Sequence, residues 1–107
     1  GTITATTGAT SVDWSNAAVY KMASALTGNI EFDFTNYVAG QVLTIYNISG
    51  SHTITLDSDA STSESFLKAG GDYDGSTTNI LQIECLAAGN DAVFAYSVSS
   101  YASDPTP

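Results

Sequence analysis

The chain has 107 residues, which is the size of one ordinary domain. Hydrophobic residues make up 43% of it, which excludes a disordered chain, and only 12% of the residues are charged. Serine and threonine, with 14 residues each, take the place of the usual charged surface residues, and good surface helix formers are nearly absent. The composition predicts an all-β protein.

The charge of the chain is strongly one-sided. Eleven acidic residues stand against Lys21 and Lys68, which gives a formal net charge of −9. Two lysines cannot replace the counterions of a phosphate backbone, so the charge excludes nucleic acid and anionic membrane surfaces as partners. No apolar run approaches the ~20 residues of a membrane span. Cys85 is the single cysteine, so an internal disulfide is excluded.

The first third of the chain contains one clear strand pattern and one ambiguous segment. Thr2–Thr7 alternates threonine with Ile3 and Ala5, which predicts that residues 1–11 form an N-terminal arm or an edge strand. Asn29–Thr35 alternates cleanly and is the clearest strand. In Asn16–Leu26 a helical spacing and a period-two spacing both fit. The period-two spacing places three apolar residues on one face: Tyr20, Met22 and Leu26.

The middle of the chain predicts a hairpin. Gln41–Ile48 is rich in β-branched and aromatic residues, and it is apolar on both faces, as central strands often are. The tight connection Ser49-Gly50-Ser51 leads into His52–Leu56, whose alternation predicts the second strand. The two predicted faces of the first strand carry Val42, Tyr46 and Ile48, and Leu43 and Ile45.

The last part of the chain predicts two polar loops, a second hairpin and an extension. The loops are Asp57–Ser65 and Ala69–Thr78, with Phe66 and Leu67 returning to the core between them. Asn79–Ala87 alternates over its full length and turns into a further strand, Ala92–Val98. Residues 99–107 carry no periodicity, which predicts a C-terminal extension.

Six to eight short strands separated by turn signals predict an antiparallel β-sandwich or jelly roll over residues 12–98. No fixed-period internal repeat is visible in the sequence. The chain has more apolar strand residues than one sandwich core requires. We expect the surplus to form a subunit interface, with the candidates Leu43, Ile45, Ile80 and Leu86.

His52 and Cys85 are the only candidates for a base and a nucleophile. Cys85 shares a strand face with Leu81 and Ile83, which is typical of a small buried apolar residue. One histidine and one cysteine cannot supply the three or four ligands that zinc requires. We therefore expect neither catalysis nor a cofactor.

Acidic loops and aromatic residues offer two further kinds of site. Carboxylates that alternate in a loop can bind calcium, and the candidates are Asp57, Asp59, Asp72 and Asp74. Their spacing does not match an EF-hand, and solvated loops are the alternative interpretation. An aromatic platform for sugars is a further hypothesis, with the candidates Trp14 and Tyr73, although such residues more often anchor cores and interfaces.

Five short motifs occur in a characteristic order: Val12-Asp13-Trp14-Ser15, Leu26-Thr27-Gly28-Asn29-Ile30, Phe32-Asp33-Phe34-Thr35-Asn36, Ala39-Gly40-Gln41 and His52-Thr53-Ile54-Thr55-Leu56. This order resembles a small β-sandwich module of virion proteins of tailed bacteriophages, particularly marine ones, and it covers about Thr10 to Val98. Leu56 stands where the module usually has tryptophan, and residues 80–98 lack its usual final hairpin. The resemblance implies that Asn16–Leu26 forms a strand.

The resemblance also implies a structural role in a virion. Because a single module stands here with short terminal segments, we expect a capsid decoration protein. It would bind the major capsid protein on the outer head surface as a homotrimer, with residues 1–11 and 99–107 as docking elements. The alternative is a tail-fibre or receptor- or carbohydrate-binding module.

Overall fold

The computed structural model describes residues 1–102, which form nine strands and no helix. The strands are β1 (Thr2–Ile3), β2 (Gly8–Asp13), β3 (Val19–Met22), β4 (Ile30–Thr35), β5 (Val42–Ile48), β6 (Ile54–Ser58), β7 (Ser65–Gly70), β8 (Thr78–Ala87) and β9 (Val93–Tyr101). The all-β prediction is confirmed. Within the described residues, no helix has the length and apolarity that crossing a bilayer requires.

The strands form a six-stranded sheet of order β1-β3-β5-β8-β9-β7 and a three-stranded sheet of order β2-β4-β6. Up to β6 the chain alternates between the two sheets, and each strand pairs in parallel with the strand two places later. Gly8 pairs with Ile30, and Ile30 pairs with Ile54. One full turn of the chain around both sheets, here called a coil, therefore takes 22 residues and the next takes 24. These unequal coil lengths explain why the sequence shows no fixed period, although the arrangement is solenoid-like.

The C-terminal strands change the direction of pairing. β8 pairs antiparallel with both β5 and β9, and β7 forms an outer edge parallel to β9. The predicted hairpin between β8 and β9 is therefore confirmed. In the described part of the chain five of the seven strand pairings are parallel. The expected antiparallel arrangement is thus limited to the two pairs made by β8, because the strands before β7 alternate between the sheets and pair in parallel with the strand two places away.

The predicted hairpin of residues 41–56 is wrong. β5 lies in the larger sheet and β6 in the smaller one, so the connection Ser49-Gly50-Ser51 carries the chain from one sheet to the other. Gly50 has a φ of +110° there, and a Cβ on it would lie 2.7 Å from the carbonyl oxygen of Leu26. The turn signal was correct, but it marks a corner between sheets and not a hairpin.

One core fills the space between the two sheets. Phe32 and Phe34 enter it from β4, and Ile83 and Phe94 enter it from β8 and β9. The face that the period-two interpretation of residues 16–26 predicts is fully or nearly buried, and it comprises Tyr20, Met22 and Leu26. Strand β3 therefore has the alternation expected of a sheet that is covered on one side.

The alternation of β5 is interrupted at Asn47, which has a left-handed φ of 63°. The register between β5 and β8 shifts between Ile45 and Ile48, so Ile48 is buried on the same side as Ile45. The predicted grouping of Ile48 with Val42 is wrong for this reason. Asn47 tolerates the conformation, and its Nδ2 donates to the carbonyl oxygen of Met22 at 2.9 Å.

Both ends of the described chain belong to the sheets. Residues 1–11 contain β1 and the first part of β2, which are edge strands of the larger and the smaller sheet. They therefore match the edge-strand alternative and not a free arm. Ser99–Tyr101 continue β9 and pair with residues of β8, so the expected C-terminal extension does not begin at Ser99. Residues 103–107 of that predicted extension lie outside the described residues.

Candidate functional site

The outer faces of the two sheets differ in charge. On the smaller sheet, the outward residues of β4 and β6 include Glu31, Asp33 and Asp57. On the larger sheet, the outward charged residues of the paired strands are Lys21 and Glu84, which balance each other. Five of the six large apolar residues that are exposed in the described chain lie on this second face: Val19, Val42, Leu67, Leu86 and Tyr101. We call it the neutral face.

The acidic cluster is created by the pairing of β4 with β6. Asp33 is the direct partner of Asp57, and Glu31 lies two residues earlier on the same face. One carboxylate oxygen from each of the three residues lies within 4.8 Å of the others. All three side chains are half-buried, and Oδ1 of Asp33 is buried without a hydrogen-bond partner among the described residues.

The pKa values of Glu31, Asp57 and the neighbouring Glu64 are shifted. The hydrogen bond to the Asp33 side chain, together with the charges of Asp33 and Asp57, raises the pKa of Glu31. The hydrogen bond from Glu64 lowers the pKa of Asp57, and the same contact raises the pKa of Glu64. The cluster therefore favours a proton or another cation at short range.

The four calcium candidates have separate environments. Asp57 belongs to the acidic cluster, whereas Asp59 is exposed beyond the end of β6. Asp72 forms an ion pair with Lys68, and Asp74 accepts hydrogen bonds from the backbone and hydroxyl of Ser76. Among the described residues, the one group of three or more possible metal ligands includes Asp57 but not Asp59, Asp72 or Asp74. The cluster around Asp57 offers three side-chain ligands, whereas calcium takes 6–8 oxygen ligands.

An apolar cleft of about 170 Å³ opens beside β6. It lies between β6 and residues of β7, β8 and β9 in the larger sheet. Lys68 and the aromatic rings of Tyr73 and Tyr96 stand at its sides. The hydroxyl of Tyr73 donates to the carbonyl oxygen of Gly50 at 2.6 Å, which fixes that ring. The remaining lining is apolar and consists of Ile54, Leu56, Leu81, Val98 and Gly71.

The backbone of β6 has one free edge next to this cleft. Ile30 N donates to the carbonyl oxygen of Thr53 at 3.0 Å, so the odd-numbered residues of β6 face β4. The backbone groups of Ile54 and Leu56 point to the other side, because N–H and C=O directions alternate along a strand. β6 is the edge of its sheet on that side. Among the described residues no strand pairs with this side of β6, so its unpaired donors and acceptors border the cleft.

The two candidates for an aromatic platform differ in burial. Trp14 is only 3% exposed and packs edge-on against Phe34, with ring centroids 5.6 Å apart. It is a core residue, as the preferred interpretation of such aromatic residues has it, and it is not available to a glycan. Tyr73 is half-buried and lines the cleft, so it remains available to a ligand there.

The candidate reactive residues and interface residues divide by burial. His52 is exposed, whereas Cys85 is completely buried, and burial raises the pKa of its thiol. Leu43 and Ile45 are also completely buried in the core of the single chain, so their predicted place in a subunit interface is corrected. Ile80 is half-buried on the outward side of β8, and Leu86 is exposed.

Local sequence patterns indicated only part of this site. The alternation of Asn29–Thr35 placed Glu31 and Asp33 on one face, but nothing local indicated that Asp57, 24 residues after Asp33, would be their neighbour. Nothing local indicated Lys68 either, because the cleft depends on the order of strands in the larger sheet. The chain matches no family model, and no curated protein or solved structure is significantly similar to it.

Proposed function

We propose that the protein is a structural component of a tailed-phage virion, a decoration protein that binds the outer surface of the head as a homotrimer. The ordered motifs from Val12 to Leu56, which resemble a phage virion module, are one support for this role. The surface of the molecule is the other support. In this role the protein acts by contact and by repetition, and it catalyses no reaction.

The observation that carries the proposal is the neutral face. A row of paired residues crosses four strands there, from Val42 through Glu84 and Ala95 to Leu67. Val42 is 51% exposed and Leu86 is 47% exposed, yet the chain as a whole carries a charge of −9. Two copies of so acidic a chain repel each other, and the repulsion is weakest when their nearly uncharged faces meet. The neutral face also carries exposed apolar residues, so it favours self-association.

The corrected interface consists of outward residues of β5 and β8. Val42 takes the place of the buried Leu43 and Ile45, and Ile80 and Leu86 keep the role expected for them. Around a three-fold axis, three such patches bury apolar surface at ~25 cal/mol per Å². The acidic cluster lies on the other sheet, so this contact leaves it free.

Repetition gives weak contacts a large combined effect. Three linked copies offer three identical attachment points, and linkage of this kind raises avidity by ~10²–10⁴ over one contact. Clamping neighbouring capsid proteins at several points resists the outward pressure of packaged DNA. Salt screens the repulsion between acidic trimers, since the Debye length is ~8 Å at physiological ionic strength.

The test is a binding measurement on particles. Light scattering during size-exclusion chromatography should give three chains per particle, and the purified trimer should bind expanded heads that lack decoration until a fixed number of sites is filled. A monomer at all concentrations would contradict the trimer. Labelling that places the protein on the tail and not on the head would contradict the location.

A tail-fibre or carbohydrate-binding role is the second candidate, and one observation favours it. Tyr73 presents part of its ring beside Tyr96 in the apolar cleft, as sugar-binding sites require of aromatic residues. A glycan array separates the two roles. Binding that Tyr73→Ala removes would support the second candidate, and the absence of binding by a folded protein would remove it.

A further inference from the structure

We propose that the free edge of β6 is a docking site for an extended segment of another protein, in which apolar residues alternate with lysine or arginine. The segment adds a fourth strand to the smaller sheet. Its apolar side chains enter the cleft beside β6, and its basic side chains lie next to the acidic cluster. The site requires only the single chain, so it can be tested independently of the virion role.

The backbone supplies the first part of the argument. Within residues 1–102, strand β6 pairs only with β4, and the N–H and C=O groups of Ile54 and Leu56 face away from that pairing. An exposed sheet edge is a template for a further strand, and main-chain hydrogen bonds then provide affinity. The edge is only five residues long, which fits a short segment.

The cleft supplies the second part. A strand that is added to β6 directs every second side chain towards the inner side of the sheet, where Ile54 and Leu56 point. The volume there is about 170 Å³. A dry cavity of roughly 150 Å³ holds a benzene molecule, so the cleft has room for one large apolar side chain of the segment.

Charge supplies the third part and selects the partner. The remaining side chains of the added strand lie on the outer side, beside Thr55 and Asp57. Glu31 and Asp33 lie within reach of Asp57, and the Glu64 side chain lies close enough to shift the pKa of Asp57. Four acids around one strand position attract lysine or arginine and repel an acidic segment. A second copy of this chain is a poor partner, since it carries two lysines and no arginine.

The test uses two synthetic peptides and nuclear magnetic resonance titration of the whole chain. The probe is an eight-residue peptide of alternating valine and lysine with blocked ends, and the control is its valine–glutamate counterpart. We expect the lysine peptide to bind at least about ten-fold more tightly. The largest amide shifts should occur at Ile54 and Leu56. No binding of the lysine peptide, or shifts confined to β2, would overturn the proposal.

Two variants separate strand pairing from general attraction to acids. Leu56→Pro and Leu56→Ala both remove the side chain, but only proline also removes the N–H that faces the free edge. We expect Leu56→Pro to bind about ten-fold more weakly than Leu56→Ala. The control is Ser11→Pro, which removes an N–H that faces the free edge of β2, the other edge strand of the smaller sheet. This variant should bind the peptide like the unchanged chain.

Equal binding by Leu56→Pro and Leu56→Ala would overturn the strand-pairing mechanism. If Leu56→Pro does not fold, the same question is answered by a valine–lysine peptide whose amides are methylated on alternate residues. Amides of alternate residues point to opposite edges of an extended peptide, so two such peptides can be made, each with the amides of one edge methylated. We expect one of them to lose binding and the other to retain it, whereas equal binding by both would again contradict the proposal.

Discussion

Asn79 donates from Nδ2 to the carbonyl oxygen of Ile48 at 3.2 Å, at the point where β5 resumes its pairing with β8 after the bulge. The same amide group donates to the carbonyl oxygens of Asp74 and Thr77, and its Oδ1 accepts from the backbone of Asp74. Asn79 is the one buried polar residue of the described chain. It joins the irregular part of β5 to the loop before β8.

Replacing Asn79 should therefore destabilise the fold. Asn79→Asp puts a carboxylate where carbonyl oxygens need a donor, and we expect a loss of about 1–3 kcal/mol or more in the free energy of unfolding. Urea denaturation measures it. Asn90→Asp is the control, because the Asn90 side chain is exposed and accepts from Ser61. It should change stability by less than about 0.5 kcal/mol, and an equal loss in both variants would contradict the role of Asn79.

Two glycines with similar φ values should respond differently to alanine. Gly71 has a φ of +72°, and a Cβ there would lie 1.7 Å from the carbonyl oxygen of Val98. Gly40 has a φ of +91° with open space around it. We expect Gly40→Ala to cost about 1–2 kcal/mol from backbone strain alone. Gly71→Ala should cost more than about 3 kcal/mol.

Urea denaturation of both glycine variants gives the comparison. Equal losses would mean that the backbone around Val98 moves away easily. In that case the backbone at the edge of the cleft near Gly71 can shift to accept a methyl group, despite its close contact with Val98.

Charge placed on the neutral face should break the proposed trimer. Leu86→Glu adds a carboxylate to each of three adjoining patches, and we expect monomers in light scattering at concentrations where the unchanged chain is trimeric. Ser11→Glu adds the same charge on the smaller sheet and should remain trimeric. A trimer that survives Leu86→Glu would place the contact on another face.

Repulsion within the acidic cluster should lower the stability of the fold as the pH rises, and Asp33→Asn should remove this loss. Because the pKa of Glu31 is raised in the folded chain, its contribution to stability is present at acid pH and is lost as the pH rises through that pKa. Asp33→Asn removes the main cause of the shift. We therefore expect the variant to unfold at a higher temperature than the unchanged chain at neutral pH.

The thermal unfolding difference between Asp33→Asn and the unchanged chain should vanish below the ordinary pKa range of glutamate. It should also shrink in high salt, since the three side chains are only half-buried. Aspartates with lowered pKa values, such as Asp13 and Asp91, lose their stabilising contribution as the pH falls. They are common to both proteins, so they cancel in the difference. A variant that is less stable at neutral pH would contradict the repulsion.

Burial should protect Cys85 from thiol reagents. Its side chain is completely buried, and burial raises the pKa of the thiol, so the reactive thiolate is scarce. We expect labelling of the native chain to be at least about a hundred-fold slower than labelling in denaturant, because it requires an opening reaction. Equal rates in the two conditions would mean that β8 is not held in the sheet.

Local patterns predicted strands well and their neighbours poorly. The alternation of Asn29–Thr35 gave the inward and outward sides of β4 correctly, because burial on one face of a sheet follows a period of two. The period-two alignment of Tyr20, Met22 and Leu26 was equally informative. Only the β8–β9 hairpin could be inferred as a pairing, since its two strands are joined by a short turn.

What local patterns missed or left open has one cause, which is contact between residues distant in sequence. Ile48 changes sides because Asn47 adopts a left-handed conformation that is held by the carbonyl oxygen of Met22. Trp14 is a core residue because Phe34 and Phe94 close over it from two sheets. Asp57 joins Glu31 and Asp33 only through a parallel register. None of these contacts leaves a mark within its own stretch of sequence.

The alternation of the chain between two sheets also bears on how fast the protein reaches its native state. The β8–β9 hairpin is the only pairing between consecutive strands in the described chain, and the other six pairings close long loops first. The chain loses the entropy of closing these loops before the strand contacts can stabilise it, which slows folding. We therefore expect refolding in milliseconds to seconds and not in microseconds. Stopped-flow measurements should find the C-terminal hairpin structured before the N-terminal coils.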